Sequence, residues 1–411
     1  MKYIIIGNSA AAVGAVEAIR RKDREGSVTI VSKEPYHTYS RPLISYLLCG
    51  KTDEERMKYR PDDFYEKNNV TFLAGKSAVR LEPGKKQIEL DDGSVLHYDK
   101  LLVSTGSVPF IPPAAGLERV EKKYTFLSLN DAHALHDALF QTAHVLIIGA
   151  GLIGLKCAEG IADKVGKITV VDMAPRILPS ILDEEGSSIM QAHLEKAGIQ
   201  FLLSDSVQSF SEKTAALKSG KSIPFDILVM AVGVRPNISL FKEAGGAVER
   251  GIVTDAYCRT SLPDVYAAGD CAQSHDITTD TDRVLALLPN AYMQGETAGL
   301  HMTGVEKPHD HAIPMNAIGF FGLHIITAGS YDGDGIVIAN GPDCYKKFFV
   351  KHNRLIGFIL IGDIARAGIY TSLVRNKTPL DTIDFALICQ KPQLAAFSRA
   401  YREDKLGGKT I

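Results

Sequence analysis

The chain has 411 residues, 45% of them hydrophobic and 23% charged, which is enough for two or three globular domains with cores of their own. Its 46 basic residues against 48 acidic ones, with no long block of one sign, exclude the strong positive field that nucleic acid or an anionic membrane surface would need. Six cysteines, at positions 49, 157, 258, 271, 344 and 389, form no CxxC or CxxxxC pattern; this excludes a zinc knuckle and a local redox disulfide, and points to reduced thiols in a cytoplasmic protein.

At the amino terminus "KYIIIGNSAAAVGAV" invites comparison with a signal peptide, but Gly7, Asn8 and Ser9 break the apolar run. A strand followed by the amphipathic helix "AAAVGAVEAIRRKD" is expected instead. No run reaches the length of a membrane span. A second strand, "SVTIV", ends near Ser32 to Glu34, the charged "DEERMKYRPDDFYEKNN" reads as a solvated helix and loop, and "LDDGSVLHYDKLLVSTGSVP" as a glycine-turned hairpin followed by a buried strand. The pattern then repeats: "HVLIIGAGLIG", "ITVVD" ending at Asp172, and "LKSGKSIPFDILVMAVGVRP". Gly93, Asp99, Gly106 and Pro109 match Gly220, Asp226, Gly233 and Pro236 at identical spacing, so one unit is written twice. From Val253 to Leu300 the chain returns to the first unit through the strand and small-residue helix around "DVYAAGDCA", while "DITTDTD" reads as a polar surface loop. From Ile313 short strands such as "CYKKFFV" and "RLIGFILIG" precede a helical "ARAGIYTSLVR".

In the second copy Gly149, Gly151 and Gly154 lie between a strand and a helix, with Asp172 ending the next strand. That context makes a dinucleotide fingerprint: a tight turn, a backbone that a pyrophosphate can approach, close helix packing and a helix amino terminus that favours negative charge. Asp172 suits ribose hydroxyls and repels a 2′-phosphate, which favours NAD over NADP, although Arg176 leaves that choice open. The first copy is looser, with Gly7, Ser9 and Ala12 in the glycine positions and Gly14 added. Its ribose contact is expected from Glu34, with Ser32 as competitor.

These features, with "STGSVPFIP", "VGVRPN" and above all "DVYAAGDCA", give the chain a resemblance to the pyridine nucleotide-disulfide oxidoreductase superfamily over nearly its whole length. The resemblance implies an α/β protein with two Rossmann-like, glutathione-reductase-like domains and a small α+β carboxyl-terminal domain. FAD would occupy residues 1–109 with 238–312, NAD(H) residues 110–237, and 313–411 would form an interface domain, often a dimer interface. It also implies that Asp270 holds the ribityl chain and that Thr105 and Gly106 lie against FAD. Arg41, Pro42, Val79, Ile153, Gly233 and Gly269 complete the expected cofactor contacts. "YSRPLIS" is similar to the flavin-lining segment of rubredoxin reductases, ferredoxin reductases and the amino-terminal part of NADH-dependent nitrite reductases.

The single-cysteine branch of that superfamily carries its cysteine earlier in this segment than Cys49. Cys49, Cys157 and Cys271 therefore read as packing residues. Two positions depart from the pattern: Tyr46 stands where relatives have lysine and Lys156 where they have glutamate. Lys156 is the expected electrostatic catalytic residue beside the flavin, opposite Tyr46, against the alternative of a lysine facing solvent. His309 and His311 lack a third ligand, so no metal is expected, and Phe320 and Phe321 read as core more readily than as a flavin cover. The expected function is transfer of electrons from NADH through FAD to rubredoxin or a ferredoxin-type iron-sulfur protein. The alternatives are an NADH oxidase or a CoA-disulfide or persulfide reductase using Cys49, and an NADH-responsive flavoprotein with a binding or signalling role.

Overall fold

The structure is a computed structural model and describes residues 1–399 and 401–402. The chain divides into two units. Met1–Pro175, Gly198–Asp276 and Thr281–Ala312 form the first; Arg176–Ala197, Ile277–Asp280 and the residues from Ile313 onward form the second.

Two parallel five-stranded sheets make up the frame of the first unit. One runs Val265–Ala267, Lys100–Val103, Lys2–Ile6, Ser27–Ser32, Val70–Ala74; the other runs Ile199–Leu202, Lys167–Val171, His144–Ile148, Ile227–Met230, Lys123–Tyr124. After the leading Lys2 and His144, their central strands are apolar and nearly all buried, reading Tyr-Ile-Ile-Ile, Val-Leu-Ile-Ile and Ile-Leu-Val-Met, as parallel strands covered on both faces require. The repeat visible in sequence is a repeat of hydrogen bonds. Asp99 accepts the Lys2 N–H at 2.7 Å and Asp226 accepts the His144 N–H at 3.0 Å, so each carboxylate pins the first strand of its own copy. Each copy adds a three-stranded antiparallel sheet, at residues 78–97 and 207–224. The matching exits, Ser107–Pro109 and Val234–Pro236, pair with each other as an antiparallel ribbon.

The helix Ala10–Lys22 packs along Leu288–Met302, the helix of the returning segment. Small residues make this possible: a Cβ on Gly295 would stand 1.9 Å from the Ala11 carbonyl oxygen, and one on Gly14 2.3 Å from that of Tyr292. Gly295→Ala is therefore expected to cost about 1–3 kcal/mol by overpacking, seen as a lower denaturant midpoint with an unchanged slope.

The second unit is built on an antiparallel sheet in the order Met315–Phe320, Leu323–Gly329, Arg354–Ile361, Cys344–Lys351, Asp334–Gly341. Phe348, Phe358 and Tyr370 centre its core, with the helices Ala367–Arg375 and Phe385–Gln390. Residues 176–197, which by sequence lie inside the second nucleotide-binding copy, group with this sheet. Asp183 explains how: it caps the helix Glu184–Lys196 by accepting the Gly186 N–H at 3.0 Å and also accepts from Tyr345 and Lys347, both at 2.8 Å. Burial raises its carboxyl, but these three donors outweigh burial and hold it below the ordinary aspartate value.

Candidate active site

The glycine turn of the second copy combines close packing with open space. Gly149 sits at φ 114°, and a Cβ there would lie 2.3 Å from the Ala231 carbonyl oxygen; a Cβ on Gly154 would lie 2.0 Å from that of Gly149. A Cβ on Gly151, the residue opening the helix Leu152–Ile161, would meet nothing within 4 Å. Two of the glycines thus serve packing and the third leaves room, next to the free N–H groups of a helix start. Asp172 faces the same turn, accepting the Ala150 N–H at 2.6 Å and the Ala174 N–H at 2.8 Å. Its carboxylate is fixed where the strand ends. Ile153 is half-buried one residue before Gly154, and the Gly233 carbonyl accepts the Phe110 N–H at 3.0 Å.

On the first copy, a Cβ on Gly7 would fall 2.1 Å from the Ser104 carbonyl oxygen. Ser9 begins the helix without capping it through its hydroxyl, and Ala12 is fully buried. The two candidates for the ribose contact are both engaged within the protein. Ser32 donates to the Glu34 carbonyl at 2.8 Å, and the Glu34 carboxylate accepts from Tyr39 at 2.7 Å and Arg41 at 2.8 Å. The local task of Glu34 is to orient Arg41. Burial works against the charge of Arg41, but Tyr39, Glu34 and Asp270 around it hold its pKa above the ordinary value. Pro42 is exposed in the helical turn that Arg41 begins, and Val79 is exposed in the antiparallel sheet.

Asp270 follows Gly269, whose N–H donates to Gln294 at 2.9 Å. Burial is the largest influence on the Asp270 carboxyl and raises it; the Ser107 hydroxyl, 3.1 Å away, and Arg41 oppose that rise. Such a half-buried, partly desolvated acceptor suits a ligand bearing hydroxyl donors. Thr105 donates to the Asn237 carbonyl at 2.6 Å, and Gly106 carries the matching acceptor for the Asn237 N–H at 2.9 Å. These residues, with the glycine cradle, fit FAD; Gly151 and Asp172 fit a nicotinamide dinucleotide.

The two copies meet at the helices Ile44–Leu48 and Leu152–Ile161, which touch where Gly160 leaves space for Ser45 and Leu48. Lys156 does not point to solvent. Its side chain is 12% exposed, its ammonium lies 4.4 Å from the centre of the Tyr46 ring, and it is ion-paired with Glu159. Lys51 approaches Glu159 to 3.9 Å and the Tyr46 ring to 5.8 Å. Sequence reasoning brought Lys156 and Tyr46 together but missed Glu159 and Lys51. The i,i+3 spacing of Lys156 and Glu159 on a helix was the available signal.

All six cysteines are free thiols. Cys49 ends the helix Ile44–Leu48 with its sulfur 3.5 Å from the Tyr46 carbonyl oxygen, while burial pushes the thiols of Cys157 and Cys271 up. Phe320 is fully buried at the end of its strand, and Phe321 turns the hairpin at φ 44°. Among the described residues no cluster of three or more His, Cys, Asp or Glu is placed to hold a metal, and no helix is long and apolar enough to cross a membrane.

Two dinucleotide-binding folds in one unit, each opening its first helix from a small-residue turn, define a protein that holds two nucleotide cofactors. The chain belongs to the pyridine nucleotide-disulphide oxidoreductase family, which residues 1–295 match, and its cofactors are FAD and NAD(H); residues 314–378 match the rubredoxin NAD+ reductase C-terminal domain. It is 31% identical to the nitrite reductase [NAD(P)H] of Bacillus subtilis (strain 168) over 92% of its own length but spans only 48% of that relative. It is also 31% identical to the 3-phenylpropionate/cinnamic acid dioxygenase ferredoxin–NAD(+) reductase component of Photorhabdus laumondii, covering 87% of this chain and 92% of that one. Among solved structures, the putidaredoxin reductase of a covalent complex with putidaredoxin superposes with a TM-score of 0.87 at 23% identity, over 96% of this chain and 98% of the other.

Proposed function

We propose that the protein transfers electrons from NADH to a small iron-sulfur or rubredoxin-type carrier. The observation that carries this reading is the pairing of an open glycine turn at Gly151 with a half-buried carboxylate at Asp270, raised by desolvation, in one unit, while every cysteine is an unpaired thiol. Bound FAD supplies the conversion between a hydride's two electrons and the single electrons an iron centre accepts. The protein's part is to bind, orient and set charge. In this reading residues 1–109 and 238–312 hold FAD and 110–237 hold NADH. Gly151 and the helix start behind it receive the pyrophosphate, and Asp172 takes the ribose hydroxyls and disfavours NADP. The match of residues 314–378 to a rubredoxin reductase domain, and the likeness to a ferredoxin–NAD(+) reductase component, support the acceptor class.

Lys156 places a positive charge against Tyr46 at the boundary between the copies, where it would stabilise the negative charge of a reduced flavin held there. Lys156→Met is expected to slow flavin bleaching by NADH about tenfold or more in anaerobic stopped-flow; an unchanged rate and an unchanged midpoint potential would remove Lys156 from the site. Free thiols suit a reducing, cytoplasmic compartment. A homodimer also belongs to this reading, since the edge strand Asp334–Gly341 exposes Ile336 and Val337 and a second copy would cover them; a solution mass of one chain would rule it out. The acceptor is tested by offering the NADH-reduced protein rubredoxin, ferredoxin, oxygen and a disulfide in turn. Reoxidation by an iron protein should be fastest, and preference for the disulfide, abolished by Cys49→Ser, would replace this reading.

A further inference from the structure

We infer that Glu159 is the positioning residue of this boundary: its carboxylate holds Lys156 back along its own helix and against the Tyr46 ring of the other copy. The inference rests on the reading of Lys156 given above. The Glu159 side chain is 6% exposed and Lys156 12%, so both charges have left water, and an ion taken from water needs counter-charge close by. Lys156 pairs with Glu159 one turn further along the helix Leu152–Ile161. Two residues after Gly154 on its helix, an unbranched lysine has rotamers reaching either outward or back across the helix face; the carboxylate favours the second.

What lies under the ammonium is fixed by the neighbouring residue. A Cβ on Gly160 would come within 2.9 Å of the Ser45 carbonyl oxygen and 3.2 Å of the Leu48 Cβ, so the lack of a side chain at Gly160 lets the Ser45 backbone and the Leu48 side chain come close to this helix. Tyr46, on the helix Ile44–Leu48, then presents its ring face to Lys156 at 4.4 Å and to Lys51 at 5.8 Å. Lys51 is the weaker partner: its side chain is 58% exposed and stands 3.9 Å from Glu159, so water and salt screen it. One buried carboxylate, two ammonium groups and one ring thus form a clasp joining the FAD-side helix to the NADH-side helix. Glu159 touches no reacting atom in this account and acts through Lys156.

The test uses FAD-loaded protein in five forms: unaltered, Glu159→Gln, Glu159→Asp, Lys156→Met and the double variant of Glu159→Gln with Lys156→Met, each checked for flavin content and thermal midpoint. Acetylation of the Lys156 amine, followed by peptide mass spectrometry, should be about tenfold faster in Glu159→Gln, as loss of one tightly coupled partner implies. Equal labelling in the two proteins would overturn the inference. Glu159→Asp, which keeps the carboxylate one carbon shorter, should restore part of the protection; no protection at all would mean that the charge is not what holds Lys156. Flavin bleaching by NADH should slow about tenfold in Glu159→Gln, and adding that change to Lys156→Met should slow it no further. Independent, multiplying effects would contradict action through Lys156. If Lys156→Met itself bleaches at the normal rate, the catalytic reading of Lys156 fails, and the labelling result still decides the role of Glu159.

Discussion

Asp270→Ala should yield a folded protein that binds FAD on the order of tenfold to hundredfold more weakly, because a hydrogen bond to a charged group contributes about 1.5–3 kcal/mol. Burial raises the Asp270 carboxyl, with Ser107 and Arg41 only opposing the rise, so the side chain is held in place at a cost to the fold unless a ligand repays it. The apoprotein should accordingly be no less stable to heat after the change, and Asp270→Asn, which keeps one acceptor oxygen, should fall between the two in affinity. Titrating the apoproteins with FAD by flavin fluorescence gives the comparison. A variant that binds FAD as tightly as the unaltered chain would move the ribityl contact elsewhere.

Gly151→Val should leave flavin content untouched and lower kcat/KM for NADH about a hundredfold or more, since misplacing a reactant by about 1 Å is enough for that. The backbone at Gly151 is extended, at φ −85° and ψ −174°, which any residue adopts, and a Cβ would meet nothing within 4 Å. The glycine is therefore free of a structural duty, and the new side chain would project into the room left for the pyrophosphate. Reduction by dithionite should proceed normally, which separates loss of NADH binding from damage to the flavin site. A variant with an unchanged KM for NADH would show that the pyrophosphate does not approach this turn.

What was legible in the sequence was what repeats. The strand–turn–helix starts at Lys2 and His144 carry the same apolar run and the same small-residue turn, and the aspartates that pin them, Asp99 and Asp226, recur at the same spacing. The carboxyl-terminal strands were legible because "CYKKFFV" and "RLIGFILIG" are short apolar runs bounded by turns. Several contacts between segments far apart in the chain were not. Nothing in the residues around Asp183 announces that Tyr345 and Lys347 will draw residues 176–197 onto the carboxyl-terminal sheet. Likewise Glu34 is a plausible ribose ligand by position, yet its carboxylate faces Tyr39 and Arg41, a choice decided by how the segment after Glu34 folds back. The charged stretch at residues 53–69 folds as two short helices whose Met57 and Phe64 are buried, so its polar composition hid two anchors. By sequence Lys156 can face solvent or interior, because a helix of ten residues does not reveal which neighbour covers it; Gly160 and Tyr46 decide between them once the helices are packed.

The central claim, that NADH electrons pass through FAD with no sulfur relay, is tested most directly by anaerobic titration of the FAD-loaded protein with NADH. One equivalent of NADH per FAD should bleach the flavin band completely, with Cys49→Ser giving the same endpoint. Consumption of a second equivalent, lost in Cys49→Ser, would reveal a redox-active cysteine, and a flavin band that NADH never bleaches would contradict the claim outright.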